Sequence, residues 1–158
     1  MNSIPTVHVW HDPPPMEAGA PLPVLYASES SLVVAYHVAD QSGDSERVAV
    51  LHFDATCHKF GAPNDEVLSG HPLYPFGLTF YEFHWVEKSP WIASLCKQNS
   101  VHHRHCDSAF ESLSHWIITF HDSTLEVVGR AASVLGIYDS LTPEQALVRA
   151  ISRSVDAF

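Results

Sequence analysis

The densest run of chemically capable side chains is His121-Asp122-Ser123-Thr124-Leu125-Glu126, which follows the alternating stretch His115-Trp116-Ile117-Ile118-Thr119-Phe120. An imidazole beside a carboxylate suits general acid–base work, because the carboxylate orients the ring and raises its pKa. The candidate catalytic set is therefore His121 and Glu126, with Asp122 as a second carboxylate, and Thr119 and Ser123 add hydroxyls able to hold a polar ligand. The competing reading is a polar turn. Asp-Ser closes turns through its own side-chain hydrogen bonds, and a His–Glu pair across two strands is ordinary on a solvated face. Sequence spacing brings no third residue close enough to define a nucleophilic triad.

Two further groups carry candidate chemistry. His71 and Tyr74 lie in the rigid aromatic loop Gly70-His71-Pro72-Leu73-Tyr74-Pro75-Phe76-Gly77, and Glu82 and His84 lie in the strand predicted after it. A concave site with aromatic walls and few polar groups would take a small ligand. The plainer alternative is packing by Tyr74, Phe76, Phe80, Phe83 and Trp85, with one or two histidines satisfied inside the core. The run His102-His103-Arg104-His105-Cys106 offers three imidazoles and a thiol, ligand types that zinc accepts. A usual site draws on two separated ligand pairs, and the sequence identifies no second pair. The run therefore reads as an exposed loop, and no metal ligand is assigned. His52 and Asp54 share a strand face, but a polar strand end explains them equally well.

These residues need elements to position them. Around the first group the pattern predicts a hairpin. Either a four-residue loop at 121–124 or a two-residue turn at Asp122-Ser123 pairs Phe120 with Leu125, Ile118 with Val127 and Trp116 with Gly129 on one apolar face. The other face pairs His121 with Thr124, Thr119 with Glu126, Ile117 with Val128 and His115 with Arg130. In that register His115 and His121 lie ~20 Å apart, too far to share a metal ion, and His121 is a diagonal neighbour of Glu126. A rival reading takes Ser123-Thr124-Leu125-Glu126 as a capping box, followed by helically spaced Leu125, Val128, Ala132 and Leu135. Val127-Val128-Gly129 is poor helix material and speaks against it.

Elsewhere, residues 31–38 and 47–54 read as strands joined by a polar turn over 40–44, and both are apolar on both faces, as in the covered centre of a sheet. Residues 78–86 read as a third strand, and 56–76 as a connection. Ser89-Pro90 opens a helix running to about Asn99, and Thr142-Pro143-Glu144-Gln145 opens another that carries Ala146, Leu147, Ala150 and Ile151 on one face. Residues 1–23 read as an irregular N-terminal arm rich in proline, with Val7-His8-Val9-Trp10 a candidate short strand that Asp12-Pro13-Pro14-Pro15 stops. Together these predict one α+β domain over 1–158, a mostly antiparallel sheet with two helices packed on it.

The composition bounds function. At 158 residues the chain is the size of one domain, and its 46% apolar and 16% charged residues are globular in character. A formal charge of −10 disfavours nucleic acid and anionic membrane as partners, and permits a basic protein or a cationic ligand. Twelve histidines would carry the formal charge from −10 to +2 if all were protonated. Cys57, Cys96 and Cys106 follow no paired spacing and read as free thiols of a reducing compartment. The N-terminus has no basic segment followed by an apolar run, so no signal peptide is expected, and no apolar stretch reaches the length of a membrane span. The expectation is a cytoplasmic binding or regulatory domain for a small-molecule ligand or a basic protein. The alternative is an enzyme using His121 and Glu126, with or without a metal. The residue pattern specifies no cofactor.

The segments GHPLYPFG and HWIITFHDSTLE resemble stretches of bacterial proteins of unassigned function that carry a strand followed by F-H-D-S-T-x-E. The resemblance covers about 25 residues and draws attention to His121, Asp122, Ser123, Thr124 and Glu126. It implies no activity.

Overall fold

Apolar strands that alternate or run continuously must pair and bury a face, and seven of them do so here. The computed structural model describes residues 3–40, 42 and 46–155, so the predicted turn over 40–44 falls largely outside the described residues. The strands are β1 (Thr6–Val9), β2 (Val24–Ala27), β3 (Ser31–His37), β4 (Arg47–Gly61), β5 (Phe83–Glu87), β6 (Ser114–Thr119) and β7 (Thr124–Asp139). Three helices accompany them: α1 (Pro90–Asn99), the single turn α2 (Ser108–Glu111) and α3 (Pro143–Val155). The strands form one sheet in the order β1-β5-β6-β7-β4-β3-β2, and every pairing is antiparallel. This is the predicted α+β class.

The sheet curls steeply without closing. Tyr36 on β3 and Phe83 on β5 are four strand intervals apart, about 19 Å in a flat sheet at ~4.8 Å per strand. Their ring centroids lie 5.2 Å apart. The concave face holds the main core, with Leu32, Val34, Leu51, Phe53, Trp116, Ile118, Phe120, Leu125 and Val127 around those rings. The N-terminal arm is more ordered than its prolines suggest. It begins as β1 against β5, then crosses the mouth of the curl. Trp10 N–H donates to Phe83 O (2.8 Å), Tyr36 Oη–H to Pro14 O (2.7 Å) and Glu17 N–H to His37 O (2.9 Å). Met16 bridges to Val38 and is buried.

The convex face is covered in two places. α3 lays Ala146, Leu147 and Ala150 on Val33, Ala35, Val48 and Val50. Its start is the predicted capping box, with Thr142 N–H on Gln145 Oε1 and Gln145 N–H on Thr142 Oγ1. At the other end, two 3-10 turns, Asp65–Gly70 and Tyr74–Phe76, carry Leu68 and Leu73 onto Val7, Val86 and Ile117. Gly77 (φ +116°) closes the second turn, where a Cβ would lie 2.8 Å from Val7 O.

Three strand boundaries differ from those expected. β4 and β7 continue to Gly61 and Asp139, well past the predicted ends, and the rival helix over 123–135 does not form. Bulges at Val50/Leu51 and around Ala55 interrupt the two-residue alternation, so the sequence pattern fades where the strands do not. Gly129 sits at that crossing, and a Cβ there would fall 2.1 Å from Asp54 O. The predicted strand over 78–86 begins only at Phe83, because Tyr81 adopts φ +53° and breaks extended backbone before it.

Candidate functional site

The β6–β7 hairpin forms with the expected faces but a shifted register. Ile118 opposes Leu125, Trp116 opposes Val127, and Phe120 N–H donates to Ser123 O at 2.9 Å, so the turn consists of His121 and Asp122. A slip of two residues leaves every side chain on its face, which is why the hydrophobic pattern does not detect it. It does move Glu126 along β6 to sit opposite Ile117, between Thr119 and His115. The expected pairing of His121 with Glu126 is therefore corrected: the carboxylate is held by His115 and His71.

Glu126 is the centre of a four-residue chain drawn from four parts of the sequence. Its Oε2 lies 2.9 Å from His115 Nε2, and its Oε1 lies 3.1 Å from His71 Nε2. His115 Nδ1 lies 2.8 Å from Ser89 Oγ, and Leu73 N–H donates to His71 Nδ1 at 3.1 Å. These contacts assign the protons. Leu73 occupies the Nδ1 lone pair of His71, so that ring carries its proton on Nε2, facing Glu126. The Glu126 carboxylate only accepts, so His115 presents its Nε2–H to it, and Ser89 Oγ, which accepts the α1 capping bond from Ile92 N–H, partners His115 Nδ1. One carboxylate, two imidazoles and a hydroxyl thus leave none of their polar atoms without a partner.

The electrostatics agree. Burial alone pushes the Glu126 carboxyl upward. The hydrogen bonds from His115 and His71, with Lys59 nearby, outweigh it and hold the group well below the usual carboxylate range. Lys59 pairs with Glu126 across β4 and β7, and its Nζ rests 3.8 Å from the centroid of the Trp91 ring. Trp91 in turn packs edge-on to His115 at 5.3 Å. The His115 side chain is 1% exposed and that of His71 is 8%. Both nitrogens of each ring are engaged, so neither ring offers a free lone pair to a substrate.

His121 and Asp122 stand at the solvent end of the hairpin. His121 Nδ1 is 2.9 Å from Asp122 Oδ1, and its Nε2 is 3.6 Å from Asp65 Oδ2. The ring stacks on Tyr81 at 6.0 Å and 15°, and the Tyr81 hydroxyl donates to Asp65 Oδ2. The Asp122 hydrogen bond raises the His121 pKa; partial burial opposes this, and the charges of Asp65 and Glu66 reinforce it. The Tyr81 hydroxyl lowers the Asp65 carboxyl. The result is an acidic cluster around the His121 ring, with Glu66 and Asp122 exposed and Asp65 partly buried.

The remaining predicted site residues disperse. His84 is fully buried. Its Nδ1 faces Ile117 O at 3.2 Å, its Nε2 accepts Thr79 N–H at 3.2 Å, and burial lowers its pKa, so it is a satisfied core histidine. Thr119 Oγ1 donates to Thr79 O and accepts Glu82 N–H, fastening that loop to β6. The Glu82 carboxylate accepts the next amide, that of Phe83. Tyr74 packs edge-on to Phe80 at 6.1 Å. Ser123 is buried beside the turn. Of the predicted ligand group, only His71 joins Glu126.

Sequence reasoning missed Ser89, Lys59, Trp91 and Asp65, and set His115 aside. Ser89 was visible as a helix cap, and strand parity already placed His115 on the face of Glu126. Metal-capable side chains gather at Cys96, His105 and Asp107. Cys106, the thiol inside the predicted histidine run, is instead 2.9 Å from Ser108 Oγ. Comparison with protein-family models, curated proteins and solved structures finds no match for this chain. No helix among the described residues is long and apolar enough to cross a membrane.

Proposed function

We propose that this chain is a binding domain, and that it takes a basic segment of a partner protein at the turn end of the β6–β7 hairpin. The observation carrying the reading is the exposed carboxylates of Glu66 and Asp122, beside the partly buried Asp65, on a chain of formal charge −10. Charge of one sign at an exposed strand end speeds encounter with the opposite sign and sets orientation. The occupied nitrogens of His71 and His115 favour binding over acid–base catalysis. Three free thiols suit work in the cytoplasm. The test is an NMR titration with a lysine- and arginine-rich peptide and with a glutamate-rich control. Amide shifts over 64–66 and 120–123, weakened by salt and by the Glu66→Gln/Asp122→Asn double variant, are expected for the basic peptide alone. Shifts elsewhere, or equal response to the control, would refute it.

A hydrolase reading has one observation in its favour, the line Ser89 Oγ–His115–Glu126. Against it, Ser89 is 6% exposed and its oxygen already holds the helix cap. Absence of labelling at Ser89 by a serine-reactive phosphonate probe would dispose of it.

A further inference from the structure

At the C-terminal end of α1 three potential metal ligands of different chemistry converge. Cys96 Sγ lies 3.9 Å from His105 Nε2 and 3.4 Å from Asp107 Oδ1, and the latter two atoms are 2.6 Å apart. We propose that Cys96, His105 and Asp107 bind one zinc ion, with a water in the fourth position. Zinc bonds of ~2.3 Å to sulfur and ~2.0 Å to nitrogen and oxygen give tetrahedral edges of about 3.6 Å from sulfur and about 3.3 Å between nitrogen and oxygen. Both sulfur edges are within about 0.3 Å of that already. The His105–Asp107 edge must open by about 0.7 Å. The Asp107 side chain is 85% exposed and free to swing by that amount.

The surroundings supply what a zinc histidine requires besides its neighbours. His105 Nδ1 is 2.9 Å from Asn99 Oδ1, which takes the ring proton on that side and turns the Nε2 lone pair toward Cys96 and Asp107. The loop after α1 is held in place by successive turns, with His102 N–H on Asn99 O, Arg104 N–H on His102 Nδ1 and His105 N–H on His102 O. The last carbonyls of α1 add negative potential. A thiolate and a carboxylate neutralise the ion, and the displaced thiol proton leaves to solvent. Cys96 and Asp107 also border a groove of about 480 Å³ between α1 and α2, through which a fourth ligand could reach the ion.

The test uses the full chain stripped by chelator, titrated with cobalt(II) by absorption and with zinc(II) by calorimetry. One equivalent of each is expected, with a thiolate-to-cobalt charge-transfer band that Cys96→Ser abolishes. His105→Ala and Asp107→Asn should weaken zinc at least ~10-fold, and Asn99→Ala, which removes only the orienting carbonyl, by about 10-fold. Cys106→Ser and His103→Ala should leave affinity and band unchanged. No stoichiometric binding, binding that survives Cys96→Ser undiminished, or a band lost in Cys106→Ser would each overturn the assignment, the last two by moving the ion to the exposed histidines or the other thiol.

Discussion

Glu126→Ala tests the central network most directly. The substitution leaves the Nε2–H groups of His71 and His115 pointing into the space the carboxylate filled. The His115 side chain is 1% exposed and that of His71 8%, so water reaches neither well. A stranded buried donor costs ~1–3 kcal/mol, so two of them amount to about 3 kcal/mol, and not the ~1 kcal/mol of an ordinary surface change. For a chain of this size that is a fall in Tm of about 6–12 °C. Glu126→Gln should recover about half: its amide oxygen accepts from one ring, and the other ring can donate through Nδ1 to Ser89 instead. Urea unfolding followed by circular dichroism would read the loss as a lower midpoint at unchanged slope. A double-mutant cycle with His115→Ala should return a coupling of ~1 kcal/mol or more, since removing both partners strands fewer groups than removing one. Unfolding of Glu126→Ala within about 0.5 kcal/mol of the parent, or strict additivity in the cycle, would refute the network as a stabilising unit.

The Glu126 carboxyl titrates lower when folded than its ordinary value of 4.5, so its contribution is complete above that value and is lost as pH falls through the folded pKa; the stability gap between parent and Glu126→Gln should narrow below about pH 4.5 in urea unfolding. His121 has the opposite sign. Its raised pKa contributes stability that is complete below the ordinary value of 6.5 and is lost as pH rises through the folded one, and Asp122→Asn should move its imidazole NMR titration to lower pH. Gly129→Ala puts a Cβ against the Asp54 carbonyl and should cost ~3 kcal/mol or more, whereas Gly136→Ala, whose Cβ would meet only the Tyr138 ring at 3.5 Å, should stay within ~0.5 kcal/mol by the same unfolding assay.

Much of this scaffold was legible because it rests on local chemistry. Ser89-Pro90 and Thr142-Pro143 announce helix starts through hydrogen bonds made within three residues, and both form. The continuous apolar runs of β3 and β4 announced strands buried on both faces. The site was less legible for a specific reason. Hydrophobic alternation fixes which face a residue takes but not its register in steps of two, and one such step replaces His121 with His115 as the partner of Glu126. His71 and Ser89 join from segments 55 and 37 positions earlier than Glu126, and no periodic signal links them to it. Cys96 likewise reaches His105 only through the turns that follow α1.

The order of strands along the sheet also bears on how the chain is made. β1, β5 and β6 lie on one side, β4, β3 and β2 on the other, and β7 is the one strand that pairs with both groups. It is also the last strand in the sequence. Until residues 124–139 leave the ribosome, the strand order allows at most two three-stranded pieces, in which β4 and β6 would each lack a neighbour on one side. The β4 edge is fifteen residues long and its first half, around Val48, Val50, Leu51 and Phe53, is apolar, the type that pairs with other chains. Synthesis of β7 fills the gap between these two edges, so the interval before it emerges is when the chain is most open to misassociation and to chaperone capture.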